Sequence, residues 1–87
     1  MNANLNFTTD SKIRSILRQY GSLNRDAHKL RSQDDLYEAG MTSHASVNVM
    51  LALESEFGIE FPDEMLTRSM FESIESMQSA VEQLISS

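Results

Sequence analysis

Apolar positions along this chain recur mainly with a helical period. Ile13, Ile16, Leu17 and Tyr20 fall at i, i+3, i+4 and i+7, which predicts an amphipathic helix over residues 9–20. Thr9 or Asp10 is placed to cap its start, and Gly21 to end it. Lys12, Arg14 and Arg18 lie off the apolar face. Residues 21–42 are polar and keep no sustained period, with Leu23, Leu30 and Leu36 as inward anchors. A connection of that length either packs through those leucines or holds a short helical turn near residues 34–39.

The next periodic segment predicts a helix over residues 43–57. Thr42 is its N-cap and Gly58 its stop. Met50, Leu53 and Phe57 form a core stripe at i, i+3 and i+7, and His44, Val47 and Leu51 form a second stripe at the same spacing. Together they make an apolar arc wider than one buried face requires. Ser46 is expected at the surface. Ile59-Glu60-Phe61 alternates before Pro62. Asp63 then opens a short helix that carries Met65, Leu66, Met70 and Phe71 inward. A last helix over residues 75–85 uses Ile74, Met77, Val81, Leu84 and Ile85. No segment reads as a strand. The expectation is an all-α protein, a four-helix bundle of three longer helices and one short one, with residues 1–87 as a single domain.

Composition narrows the chemistry. The chain has no cysteine, which excludes disulfides, a thiol nucleophile and cysteine-based metal sites. There is no long apolar run for a membrane span, and the N-terminus lacks the basic and apolar regions of a signal peptide, so a cytoplasmic protein is expected. Charge is split. Residues 1–31 hold six Lys/Arg against two Asp/Glu, whereas residues 32–87 hold eleven Asp/Glu and Arg68 alone as a base. That distribution disfavours nucleic acid and anionic lipid and suits partners with basic patches.

The residues give little support for catalysis. His28 and His44 are the only histidines, and His44 directly follows Ser43. Neighbouring helical residues point in different directions, so these two cannot form a Ser–His pair. Glycine-rich phosphate loops and calcium-loop spacings are absent, and no metal site is expected. The start of the second helix differs. Ser43 falls in its first turn, where unpaired N–H groups and the helix dipole favour an anion. A phosphodiester on Ser43 would be well placed, although a serine there is also an ordinary capping residue.

Three stretches carry a resemblance: Asp35-Leu36-Tyr37-Glu38-Ala39-Gly40-Met41-Thr42-Ser43, then Leu53-Glu54-Ser55-Glu56-Phe57, then Ile59-Glu60-Phe61-Pro62-Asp63. From Asp35 to Ile85 the chain resembles the acyl carrier protein family. The resemblance implies a four-helix carrier fold with 4′-phosphopantetheine on Ser43, attached from coenzyme A by a phosphopantetheinyl transferase. The protein would then be a carrier rather than an enzyme, holding cargo as a thioester on the arm's thiol.

Three departures matter. Thr42-Ser43-His44 stands where the family usually has Asp-Ser-Leu. Ala45 and Asn48 occupy positions often acidic in fatty-acid carriers. The stretch from Pro62 to the last helix, through Met65-Leu66-Thr67-Arg68-Ser69-Met70-Phe71, is longer than usual. Together with Met50-Leu51-Ala52-Leu53-Glu54, these features resemble the aminoacyl carrier subgroup. Its members are charged by ligases similar to class II seryl-tRNA synthetases, which form an aminoacyl adenylate. That implies a small amino acid, glycine or alanine, as cargo and an unidentified downstream acceptor enzyme. Thr42, His44, Val47 and Leu51 are the candidate docking residues on an otherwise monomeric protein. Two other readings stand beside this one: a carrier for fatty acyl, polyketide or peptide assembly, and an unmodified helical interaction module.

Overall fold

The computed structural model describes residues 3–86. Four helices follow one another: α1 (Ala3–Tyr20), α2 (Ser43–Phe57), α3 (Arg68–Phe71) and α4 (Ile74–Ser86), with a 3-10 turn at Asp63–Met65 before α3. No strand occurs among the described residues. Three longer helices and one short one form the expected all-α bundle. α1 packs on both α2 and α4, and α3 sits on α4. The core is built from Ile13 and Leu17 of α1, Val49 and Leu53 of α2, and Ile74, Met77 and Val81 of α4, all fully buried.

α1 begins earlier than its periodic segment. No glycine or proline interrupts the run between Ala3 and Thr9, so nothing stops the helix there. Thr9 and Asp10 are therefore interior residues, not caps. Thr9 is buried, and Asp10 accepts Arg14 Nε at 2.9 Å, one turn on. The C-terminal end is as expected: Gly21 N–H donates to Leu17 O at 2.8 Å. A Cβ at Gly21 would meet that same oxygen at 2.7 Å, so a side chain cannot be added without moving the backbone. Tyr20, expected on the apolar face, is exposed at the helix end.

The long connection is a packed structure. Leu30 and Leu36 are buried and Leu23 packs partly against the core. Residues 36–40 also form a tight turn, in which Met41 N–H reaches Leu36 O at 3.0 Å. Both alternatives for this segment hold at once. The connection is pinned at three places. Leu36 N–H donates to Glu72 O at 2.8 Å and Glu75 N–H to Ser32 O at 3.0 Å. Arg14, expected off the buried face, is the third: its Nη1 donates to Ala27 O at 2.9 Å and Leu30 O at 2.6 Å. A smaller tie lies at the bend, where Arg31 N–H donates to Asp34 at 2.9 Å. That backbone bond, with the Arg31 and Arg25 guanidiniums, holds the Asp34 carboxyl below its ordinary pKa.

Within α2 the buried line is Ala45, Val49 and Leu53, while Met50 and Phe57 are only half-buried. The inward face therefore runs through the i, i+4, i+8 line of Ala45, Val49 and Leu53 and not through the expected Met50, Leu53 and Phe57 stripe. Gly58 ends the helix at φ 63°, a left-handed conformation that favours glycine. Beyond it, Glu54 reaches across this bend to accept Phe61 N–H at 2.8 Å.

The segment after Pro62 is two pieces rather than one short helix from Asp63. Thr67 starts α3 afresh, its Oγ1 accepting Met70 N–H at 3.2 Å. Met70 and Phe71 are buried as expected and Met65 partly so, but Leu66, between the two pieces, is turned outward. In α4, Ile74, Met77 and Val81 are buried with Ala80; Leu84 is half-buried and Ile85 lies exposed near the end.

Candidate functional site

The start of α2 has the geometry of a built N-cap. Thr42 is extended (φ −91°, ψ 166°), and its Oγ1 accepts Ala45 N–H at 3.0 Å. Its carbonyl accepts Ser46 N–H at 2.9 Å. One hydroxyl and one carbonyl thus fix the first turn, and Ser43 has no capping duty. Ser43 is exposed, and its hydroxyl makes no hydrogen bond among the described residues. Ser46, expected at the surface, is buried instead. Its Oγ donates to Ser43 O at 2.7 Å, which satisfies the hydroxyl inside the turn.

The surroundings of Ser43 suit a negatively charged group. The N–H groups of Ser43 and His44 precede the first intrahelical bond, and the first turn contains no acidic residue. A phosphodiester on the Ser43 oxygen would meet donors and the positive end of the helix dipole, with no carboxylate against it.

Beside Ser43 opens a cavity of about 460 Å³ between α2 and the segment leading into α3. Val47, Met50, Leu66 and Phe71 give it an apolar wall, and Tyr37 and Arg68 complete it. The Arg68 guanidinium lies 3.8 Å from the centre of the Tyr37 ring, a cation–π stack. Sequence reasoning missed this cavity. Ser43, Val47 and Met50 share one face at i, i+4 and i+7, which was a usable signal. The outward turn of Leu66 and the Tyr37–Arg68 stack had none.

The candidate docking residues are at the surface. Thr42 and His44 are exposed, Val47 is 50% exposed and Leu51 is 54% exposed. The long connection leaves this stripe exposed, with only its Tyr37 sharing the cavity wall with Val47. Leu51 borders a second hollow of about 490 Å³ with Tyr20, Asn48 and Ala52. Among the described residues no group of His, Cys, Asp or Glu could hold a metal ion, and no helix is long and apolar enough to cross a membrane.

The chain matches the family described as "Phosphopantetheine attachment site" over residues 11–81. It is 40% identical to the aminoacyl carrier protein of Agrobacterium fabrum over 76 residues, which cover 87% of this chain and 92% of that protein. Its fold matches a chain in the crystal structure of an engineered Bradyrhizobium japonicum glycine:[carrier protein] ligase complexed with carrier protein from Agrobacterium tumefaciens and ATP. The TM-score there is 0.83 at 40% identity, covering 86% of this chain and 97% of the other. A second match is in the Bradyrhizobium japonicum ligase complexed with glycylated carrier protein, with a TM-score of 0.72 at 27% identity, covering 84% and 97%. A first helix turn built for an anion, on a four-helix bundle with these relatives, leads to one assignment: the chain belongs to the phosphopantetheine-attachment family and, within it, to the aminoacyl carrier proteins, which carry cargo and are not enzymes.

Proposed function

We propose that Ser43 carries the 4′-phosphopantetheine arm and that the arm receives glycine from a glycine:carrier protein ligase. The observation that carries this reading is the free, exposed Ser43 hydroxyl at an N-terminus whose cap is supplied by Thr42. When bound, the group supplies a thiol at the end of a flexible arm, where an aminoacyl group is held as a thioester.

Each neighbouring residue has a distinct task. Thr42 holds the first turn so that the Ser43 oxygen faces solvent and a transferase carrying coenzyme A. Ser46 locks the Ser43 carbonyl from inside the turn. His44, Val47 and Leu51 form the outer stripe of α2, an exposed apolar strip that a partner helix or groove covers. The absence of acid in the first turn matches this surface to a ligase that does not require a negative rim there. Glycine as cargo is supported by the 40% identity to the carrier seen with the glycine ligase. Charging by a ligase that binds ATP fits a cytoplasmic protein, and a downstream acceptor would take the glycyl group.

Incubation with coenzyme A and a phosphopantetheinyl transferase tests the attachment by intact mass. Wild type is expected to gain one arm and Ser43→Ala none. Addition of ligase, ATP and glycine is expected to add one glycyl group to the holo form alone. Modification that persists in Ser43→Ala, or a holo form that takes only acyl groups, would contradict the reading.

A further inference from the structure

The cavity beside Ser43 has one cation on its wall. Arg68 is the only Lys or Arg among residues 32–87, a stretch with eleven carboxylates. Yet the ion pairs among the described residues belong to Lys12, Arg14, Arg25 and Arg31, and no carboxylate pairs with Arg68. What holds Arg68 is the Tyr37 ring, at 3.8 Å. Stacking engages the flat face of a guanidinium. Its N–H donors lie in the plane and remain available to an acceptor with two oxygens.

We propose that Arg68 binds the phosphate of the phosphopantetheine arm on Ser43 and so holds the root of the arm against the cavity between α2 and α3. This rests on Ser43 being the attachment residue. Arg68, Tyr37 and Ser43 all line the same cavity. The other polar groups on that wall are less suited. Ser46 Oγ already donates to Ser43 O, and Thr67 Oγ1 already accepts Met70 N–H. Val47, Met50, Leu66 and Phe71 offer no polar atom in their side chains. A phosphodiester at Ser43 therefore meets a single formal cation, pre-oriented by an aromatic platform and free of a competing carboxylate. Lysine lacks both the flat face and the paired donors, so it replaces this arginine poorly.

Nuclear magnetic resonance of the isolated protein tests the pair without any ligase. Apo and holo forms, verified by mass as unmodified and singly modified on Ser43, are compared through the Arg68 Nε–Hε signal and the phosphorus signal. Conversion to the holo form is expected to shift the Nε–Hε resonance and to slow its water exchange about fivefold or more, as for a net gain of about 1 kcal/mol. In holo Arg68→Gln the phosphorus resonance is expected at a new position, displaced from wild type toward that of the arm on a short unfolded peptide, with the N-terminus of α2 keeping part of the shift. In Arg68→Lys it is expected to move most of the way there. Arg68 is exposed, so loss of its stack on Tyr37 lowers the apo melting temperature by about a few degrees at most and both variants stay folded. An Nε–Hε signal identical in apo and holo protein, or a phosphorus signal unmoved in Arg68→Gln, overturns the proposal and leaves the attachment reading standing. An arm found on a residue other than Ser43 overturns both.

Discussion

At the start of α2, two adjacent hydroxyl residues have separate tasks. Thr42 closes the cap and Ser43 is left with a free oxygen, a division that either residue alone could not supply. Thr42→Ala is expected to lower the stability of the fold by about 1 kcal/mol, the usual loss of an N-cap, while Thr42→Asp retains it. Chemical denaturation of the apo protein measures both. If Thr42→Ala is as stable as wild type, the 3.0 Å bond to Ala45 N–H is not a functioning cap. Much of this was legible in the sequence. Thr42 ahead of a periodic apolar segment located the helix start and its cap, and put Ser43 in the first turn. Ser46 was not legible, because its burial depends on a bond to the Ser43 carbonyl that spacing alone does not reveal. Nor was Arg68: a lone base in an acidic stretch gives no hint that it will stack on Tyr37, thirty-one positions away.

At the scale of elements, the ends of α2 were legible because Thr42 and Gly58 are strong local signals. The long connection was legible through its leucines and the turn near residues 34–39. What shapes it is Arg14, whose side chain leaves α1 and gathers the Ala27 and Leu30 carbonyls. An arginine in an amphipathic helix reads as a solvated residue, and only the folded chain brings those carbonyls to it. Arg14→Leu is expected to destabilise the protein by about 1–3 kcal/mol, because two carbonyls are left without their donor. Amide exchange in residues 27–32 should rise more than exchange in α4, and uniform change across the chain would contradict the assigned role. Asp34 adds a pH dependence to the same connection. Its carboxyl is held below the ordinary aspartate value by Arg31 N–H first, then by the Arg31 and Arg25 guanidiniums. A lowered folded value means that the contribution is complete above the ordinary aspartate pKa. It disappears as pH falls through the lowered one. Stability measured against pH should therefore lose a small acid-side step in Asp34→Asn, with no difference in slope near neutrality. The extra break before α3 escaped the sequence because Thr67 looked like a mid-helix residue until its hydroxyl was seen to cap Met70.

At the scale of the whole molecule, inner and outer faces of α2 do different work. Ala45, Val49 and Leu53 tie it to the bundle, while His44, Val47 and Leu51 face solvent. Leu53→Ala should cost about 2–5 kcal/mol, as a fully buried leucine in a close-packed core does. Val47→Asp combined with Leu51→Asp should leave the melting temperature nearly unchanged and raise the ligase KM for the carrier about tenfold or more, the loss of two buried apolar contacts in the complex. A wild-type KM in that variant would remove the outer stripe from the docking surface. The arrangement as a whole presents one free serine oxygen, one exposed apolar stripe and one cation beside a shallow cavity, which the proposed function uses for attachment, docking and holding the arm. Its central claim is that Ser43 bears the arm and that the arm bears glycine. Top-down fragmentation of the protein after reaction with coenzyme A, transferase, glycine ligase, ATP and glycine tests that claim most directly. The predicted result is that fragments ending at Thr42 are unmodified, fragments reaching Ser43 carry arm plus glycyl group, and hydroxylamine removes the glycyl group alone. An arm on any other residue, or glycine bound to the protein without the arm, would contradict it.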